Sequence, residues 1–194
     1  MRRIAVGRSI VFGGTIFALM LGAWTTLATH PALADGGGNK KLDIYDNCDP
    51  RDPGWAPTGG CLLEPREGDV TLAEFNRLLL SPLSAAVVGH PSWRFEPSYL
   101  HVTAGKRLRV TNEGGRVHTF TEVANFGGGV VPPLSVGLMP APECARANRI
   151  QPGDAVDVTG LQPGLHTFQC CIHPWMRAAV RVNPQEDDDE SGDR

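Results

Sequence analysis

F-Q-C-C-I-H-P-W-M, residues 168 to 176, places a thiol at Cys170, an imidazole at His173 and a thioether at Met176 on one short loop closed by Pro174. Strand-like runs flank the loop on both sides, so it can aim three donors at one point. Thiolate and thioether are soft ligands that favour Cu(I), imidazole accepts either oxidation state, and two His with one Cys and a weak axial Met form the blue-copper electron-transfer set. A second imidazole is therefore needed. His118, in V-H-T-F-T directly after the N-E-G-G turn at 112 to 115, is the best candidate because it opens a strand upstream of the loop.

A C-x-x-H-P-x-M motif near the end of a small exported β domain, with a lone histidine some fifty residues earlier, resembles the cupredoxin family, most of all its amicyanin and plastocyanin branch. The resemblance covers roughly 88–182. It implies an all-β fold, a cupredoxin Greek-key β-sandwich, with one type 1 copper at one end and single-electron shuttling as its task. Residue by residue it makes His118 the upstream imidazole ligand, Cys170 the thiolate, His173 the second imidazole and Met176 the axial thioether. This chain departs from the pattern twice. Cys171 follows the thiolate directly, and Thr119 stands after His118 where plastocyanins usually carry Asn; the second change bears on hydrogen bonding behind the site, which tunes potential rather than abolishing binding.

Residues 1–34 carry Arg2, Arg3 and Arg8, an apolar run from Ile10 to Leu27, and Ala32-Leu33-Ala34 as a small-residue cleavage site, which together predict a secretory signal cleaved after Ala34. The expected destination is periplasmic or extracellular, with no stable membrane insertion after cleavage. Cleavage removes three of the 18 basic residues and none of the 21 acids, leaving a formal charge of −6. Most of that lies in E-D-D-D-E-S-G-D-R, 186 to 194, so the body carries no basic footprint for nucleic acid. With no apolar residue to bury, the end of the chain, 184–194, is expected to be a disordered acidic tail.

Residues 35–87 are expected to form an N-terminal arm: a Gly-rich linker, then a loop-rich segment with Cys48 and Cys61, then a short helix. Export implies an oxidising compartment, so Cys48 and Cys61, with twelve residues between them, are expected to pair. Closing a loop of that size contributes about 3 kcal/mol in the chain-entropy model. Thr71-Leu72-Ala73-Glu74 fits a capping box, with Leu72, Phe75, Leu78 and Leu79 on one helical face and Pro82 ending the run. That stripe is expected to pack on the outside of the sandwich.

Residues 88–183 are expected to be the cupredoxin domain. Its strand-like runs are Arg94 to Val102, Lys106 to Asn112, Val117 to Val123, Ala155 to Thr159, Leu165 to Cys171 and Ala178 to Val182. In the fifth run His166, Phe168 and Cys170 share one face, and Cys171 points oppositely. His90, His101 and His166 fall outside the ligand spacing and read as surface or locally hydrogen-bonded residues. The stretch from Asn125 to Gln151, rich in Gly and Pro, is long enough that it must be functional or tied down. With Cys170 given to copper, Cys144 and Cys171 remain and are free to pair, which would pin this stretch beside the metal; a bridge between Cys170 and Cys171 would instead destroy the thiolate.

A single mononuclear site with a complete soft ligand set offers no open position for substrate, which favours a one-electron carrier over an enzyme. A copper-binding module for storage or delivery is the alternative, yet such modules often add Met or His clusters and two of the four methionines here lie in the signal segment. An open copper site, with Met176 remote or Glu122 coordinating, and a zinc site are the remaining readings. His173 lies on a loop, so its edge is expected to be exposed within an apolar surround of Pro174, Trp175, Pro132 and Pro133, where a redox partner protein would dock on a monomer.

Overall fold

The computed structural model describes residues 38–80 and 89–185, all within one compact unit. The expected secretory signal, Pro82 and the acidic tail from 186 lie outside the described residues. Among the described residues no helix is long and apolar enough to cross a membrane.

Among the described residues eight strands build two four-stranded sheets. β1 (Lys40–Asp46), β2 (Trp93–Glu96), β4 (Leu108–Asn112) and β6 (Ala155–Val158) form the first, in the order β2-β1-β4-β6. The second holds β3 (Tyr99–Thr103), β5 (Thr121–Glu122), β7 (Gly164–Gln169) and β8 (Arg177–Asn183), in the order β3-β8-β7-β5. β1 runs parallel to β4 and β3 parallel to β8, while the remaining neighbours are antiparallel. This is the all-β, cupredoxin-like Greek-key sandwich that the resemblance implies.

Alternation decides what the sheets bury. Leu42 and Ile44 of β1, Trp93 and Phe95 of β2, and Leu108 and Val110 of β4 point into one core with Leu100, Val102, Phe168, Ala178, Val180 and Val182 of the facing sheet. Each Val, Leu, Ile or Phe among them contributes about 1.5–3 kcal/mol by leaving water. Phe120 bridges the layers, stacked on Phe168 at 4.3 Å and edge-on to Phe95 at 5.1 Å.

The strand reading differs from the structure in three places. The segment after the Gly-rich linker is a strand and not loop: β1 sits inside the first sheet, paired on both sides. The run from Arg94 to Val102 is two strands, because Pro97 has no N–H to give a ladder and the chain changes sheet there. The run from Val117 to Val123 narrows to β5, because His118 bridges Ile150 before the chain swings over to β7.

The expected capped helix and the Cys48–Cys61 pair are present. The helix α1 (Leu72–Leu78) opens with the Thr71 and Glu74 capping box. Its stripe turns inward at Phe75, whose ring centroid lies 5.4 Å from Trp55, 4.9 Å from Trp93 and 6.0 Å from Trp175. Disulfides join Cys48 to Cys61 and Cys144 to Cys171. Cys170 alone among the described cysteines is free.

Candidate metal centre

At one end of the sandwich three donors meet. His118 Nδ1 lies 3.7 Å from Cys170 Sγ, His173 Nδ1 lies 3.8 Å from the same sulfur, and the two nitrogens are 3.2 Å apart. Metal–nitrogen and metal–sulfur bonds of about 2.0 and 2.3 Å, set at trigonal angles, put N and S about 3.7 Å apart and two N about 3.5 Å apart. The observed separations therefore suit a single ion. All three donor atoms lie within 4.8 Å of one another in a buried cluster, and the donor set is soft sulfur plus imidazole.

The backbone explains the convergence. β7 ends at Gln169, so Cys170 continues the face of Phe168 into the core while Cys171 turns to the opposite side, where it meets Cys144. The loop closes on itself: the Cys170 amide donates to the Met176 carbonyl at 2.9 Å and the Met176 amide to the His173 carbonyl at 2.9 Å. Arg177 Nε adds a bond to the Pro174 carbonyl at 2.8 Å. Met176 is fully buried. His118 arrives from the segment that bridges Ile150, whose carbonyl and amide exchange bonds with His118 at 3.1 and 2.8 Å.

Thr119 takes up the task of tying the two ligand segments. Its Oγ1 accepts from the Cys171 amide at 2.7 Å, and its own amide donates to Cys170 Sγ at 3.4 Å. The His173 amide gives the sulfur a second N–H, also at 3.4 Å. Burial disfavours a charged thiolate at Cys170, yet the hydrogen bonds from His118 and His173 outweigh it and hold the thiol well below its ordinary range. Burial likewise opposes a charge on His118, but Asp46 and Cys170 push it up to about 9. For His173 burial prevails, so its pKa is lowered.

Asp46 is the residue that the sequence reading missed. Its Oδ2 lies 2.7 Å from His118 Nε2, the ring nitrogen turned away from the donor cluster. The one available signal was the alternation Leu42, Ile44, Asp46, which puts an acid on a buried strand face.

Trp175 is a correction. It does not line a solvent-facing surround: it is 4% exposed, packed under the loop against Phe75 and, at 5.4 Å, against His173. His173 itself is 6% exposed. Its edge borders a groove of about 630 Å³, lined also by Phe75, Val130, Val131, Pro133 and Ile172. Pro132 and Pro133 are exposed as expected. The long stretch carrying them is pinned by the Cys144–Cys171 bridge and by the Val130 amide, which donates to the Cys171 carbonyl at 2.7 Å. Gly129 allows that approach, since a Cβ there would fall 1.9 Å from the Cys171 oxygen.

The other described histidines stay out of the cluster. His166 Nδ1 lies 2.6 Å from Glu122, which is thereby engaged away from the donors, and its Nε2 lies 2.7 Å from the Gln162 carbonyl. His90 Nδ1 accepts from the Ser92 amide at 3.1 Å.

No protein-family model and no curated protein matches the chain. Solved structures do. A purple cupredoxin from Nitrosopumilus maritimus is 14% identical, with 75% of this chain and 100% of that chain covered and a TM-score of 0.40. A reduced amicyanin mutant is 24% identical over 53% of this chain and 92% of its own, with a TM-score of 0.34. The amicyanin of Paracoccus versutus is 22% identical over 53% and 85%, also with a TM-score of 0.34. At these identities, what the site can do follows from its own donors.

Proposed function

We propose that this chain is an exported, monomeric, mononuclear type 1 copper protein that carries single electrons between partner proteins and catalyses no reaction of its own. His118 Nδ1, Cys170 Sγ and His173 Nδ1 would hold the metal, with Met176 as the weak axial thioether. The observation that carries the reading is the buried convergence of one thiol and two imidazole nitrogens at single-ion separations.

Bound copper would supply a one-electron couple. The chain's own residues do the rest. The Thr119 and His173 amides stabilise the thiolate, burial excludes water, and the loop closed by the Cys170 and Met176 backbone bond resists rearrangement between oxidation states. A storage or delivery module needs donors that a second protein can reach, and His118 and Cys170 are wholly buried. The electron carrier is therefore the better supported of the two. Disulfides at Cys48–Cys61 and Cys144–Cys171 favour an oxidising compartment, periplasmic or extracellular, after cleavage at Ala34. The groove beside His173 is where a redox partner would dock, because the walls next to that ring, Phe75, Val130, Val131, Pro133 and Ile172, are apolar.

The visible spectrum of copper-loaded protein tests the reading. An intense thiolate-to-copper absorption that vanishes in Cys170→Ser is expected. A colourless protein with one tightly held zinc, or colour that survives Cys170→Ser and is lost in Cys171→Ser, overturns it.

A further inference from the structure

The end of β1 holds a carboxylate whose surroundings are built for it. Asp46 is fully buried in its side chain. Oδ1 accepts from the Gly115 amide at 3.1 Å and from the Cys48 amide at 3.5 Å; Oδ2 accepts from the Arg116 amide at 3.0 Å and faces His118 Nε2 at 2.7 Å. Four donors around two oxygens leave no room for a proton of its own, so the group stands as an anion. The N-E-G-G turn wraps it closely: a Cβ at Gly114 would fall 2.3 Å from Oδ2, so the turn admits no larger residue without displacing the carboxylate. The Cys48–Cys61 staple holds the same turn from the other side, where the Leu62 amide donates to the Gly115 carbonyl at 2.9 Å.

We propose that Asp46 is a positioning residue that fixes His118 with Nδ1 toward Cys170 and, through its negative charge behind the ring, sets a low reduction potential for the metal held there. The inference rests on the copper reading and deepens it. An imidazole that binds metal through Nδ1 carries its proton on Nε2, and a carboxylate accepting that proton orients the ring and raises its basicity. A more basic ring and a nearby anion stabilise the doubly charged ion more than the singly charged one, which lowers the potential. The carboxylate comes from β1, outside the 88–182 stretch that carries the family resemblance, so the resemblance does not imply it.

Asp46→Asn tests this, because it keeps the shape and one acceptor oxygen and removes the charge. In copper-loaded protein the ratio of Cu(I) to Cu(II) affinity should rise by about tenfold or more, the lower end of what losing such a partner costs. A tenfold change reads as an upward shift of about 59 mV for a one-electron couple. The thiolate absorption should persist. An unchanged potential in a folded, coloured Asp46→Asn protein overturns the proposal. Should that variant fail to fold or to take up copper, nitrogen-15 NMR of the wild type loaded with Cu(I) or zinc decides it. The proposal expects the His118 proton on Nε2, deshielded and slow to exchange; a proton on Nδ1, or an Nε2–H that exchanges freely, sinks it. Wild-type protein that takes copper without colour defeats the electron-carrier reading alone, since the zinc-loaded protein still reports on His118.

Discussion

Cys144 and Cys171 are joined by a disulfide, and Cys171 is the immediate neighbour of the thiol that faces the two imidazoles. Adjacent residues of an extended chain point to opposite sides, which separates a structural sulfur from a donor sulfur by a single peptide unit. Non-reducing peptide mapping of copper-loaded protein should recover Cys144 linked to Cys171, Cys48 linked to Cys61 and Cys170 unlinked. Recovery of alkylated Cys144 would contradict this. Cys144→Ser with Cys171→Ser should keep the colour and lose about 2–4 kcal/mol in denaturant melts, the usual contribution of such a bridge.

Acid should unfold the metal-free protein, and base up to pH 9 should not. His173 has a lowered pKa, so its contribution is present above the unfolded histidine value near 6.5 and is lost as pH falls. Cys170 is lowered as well, so the folded state has shed a thiol proton that the unfolded chain keeps up to pH 9.0, and stability rises with pH on its account. His118 is raised to about 9, so its contribution is full below 6.5 and lost as pH climbs to about 9. Between 6.5 and 9 the Cys170 and His118 effects oppose and cancel. Below 6.5 the His173 and Cys170 effects act together, because the unfolded chain binds more protons than the folded one at both positions, and stability falls as the pH drops. Melts of metal-free protein should thus show a plateau above pH 6.5 and a steep fall beneath it; a steady rise through pH 8 would refute the assignment.

Copper should protect against that fall. Metal ligands must be deprotonated, so uptake by metal-free protein near neutral pH should release the His118 proton and affinity should climb until about pH 9. Calorimetry in buffers of different ionisation enthalpy counts the proton. No release at pH 7.5 would show that His118 does not take part.

The groove beside His173 makes a separate prediction. Val130 is 48% exposed and lines the groove beside His173. In self-exchange two copies meet face to face, so Val130→Asp sets two new anions against each other and should slow exchange by about tenfold at low ionic strength. The visible spectrum should not move, and added salt should restore much of the rate. An unaltered rate in NMR line-broadening measurements would place the port elsewhere.

Phe75 ties the arm to the donors. Its ring meets His173 edge-on at 6.3 Å while packing on Trp55, Trp93 and Trp175. Phe75→Ala should cost about 3–5 kcal/mol as a core truncation and broaden the spectrum by loosening His173. Thr71→Ala, which removes only the helix cap, should cost about 1 kcal/mol and leave the spectrum alone.

What was legible in the sequence is what is local. The donors of the ligand loop sit within seven residues, and the face shared by Phe168 and Cys170 follows from strand period alone. The Cys48–Cys61 bridge was expected from export and spacing, whereas counting thiols against one metal position left Cys144 and Cys171 only free to pair. What escaped depends on pairing between distant segments. β1 lies between β2 and β4, more than forty residues away in sequence, and no local pattern announces that arrangement. Asp46 went unseen for the same reason: its role exists only once the sheet has brought β1 beside His118. Trp175 was misjudged because the Phe75 ring that packs on it comes from the distant arm.

The closed ligand loop carries a consequence for manufacture. In an unfolded chain exposed to an oxidant Cys170 and Cys171 are equivalent, and in the folded chain the strand geometry, with the backbone bond from Cys170 to Met176, sends one sulfur inward and the other toward Cys144. Folding therefore has to run ahead of oxidation. A cell making this protein in quantity gains more from a disulfide isomerase, which reopens wrong pairings, than from a stronger oxidant, and colour yield per milligram becomes a direct readout of how often the chain won that race.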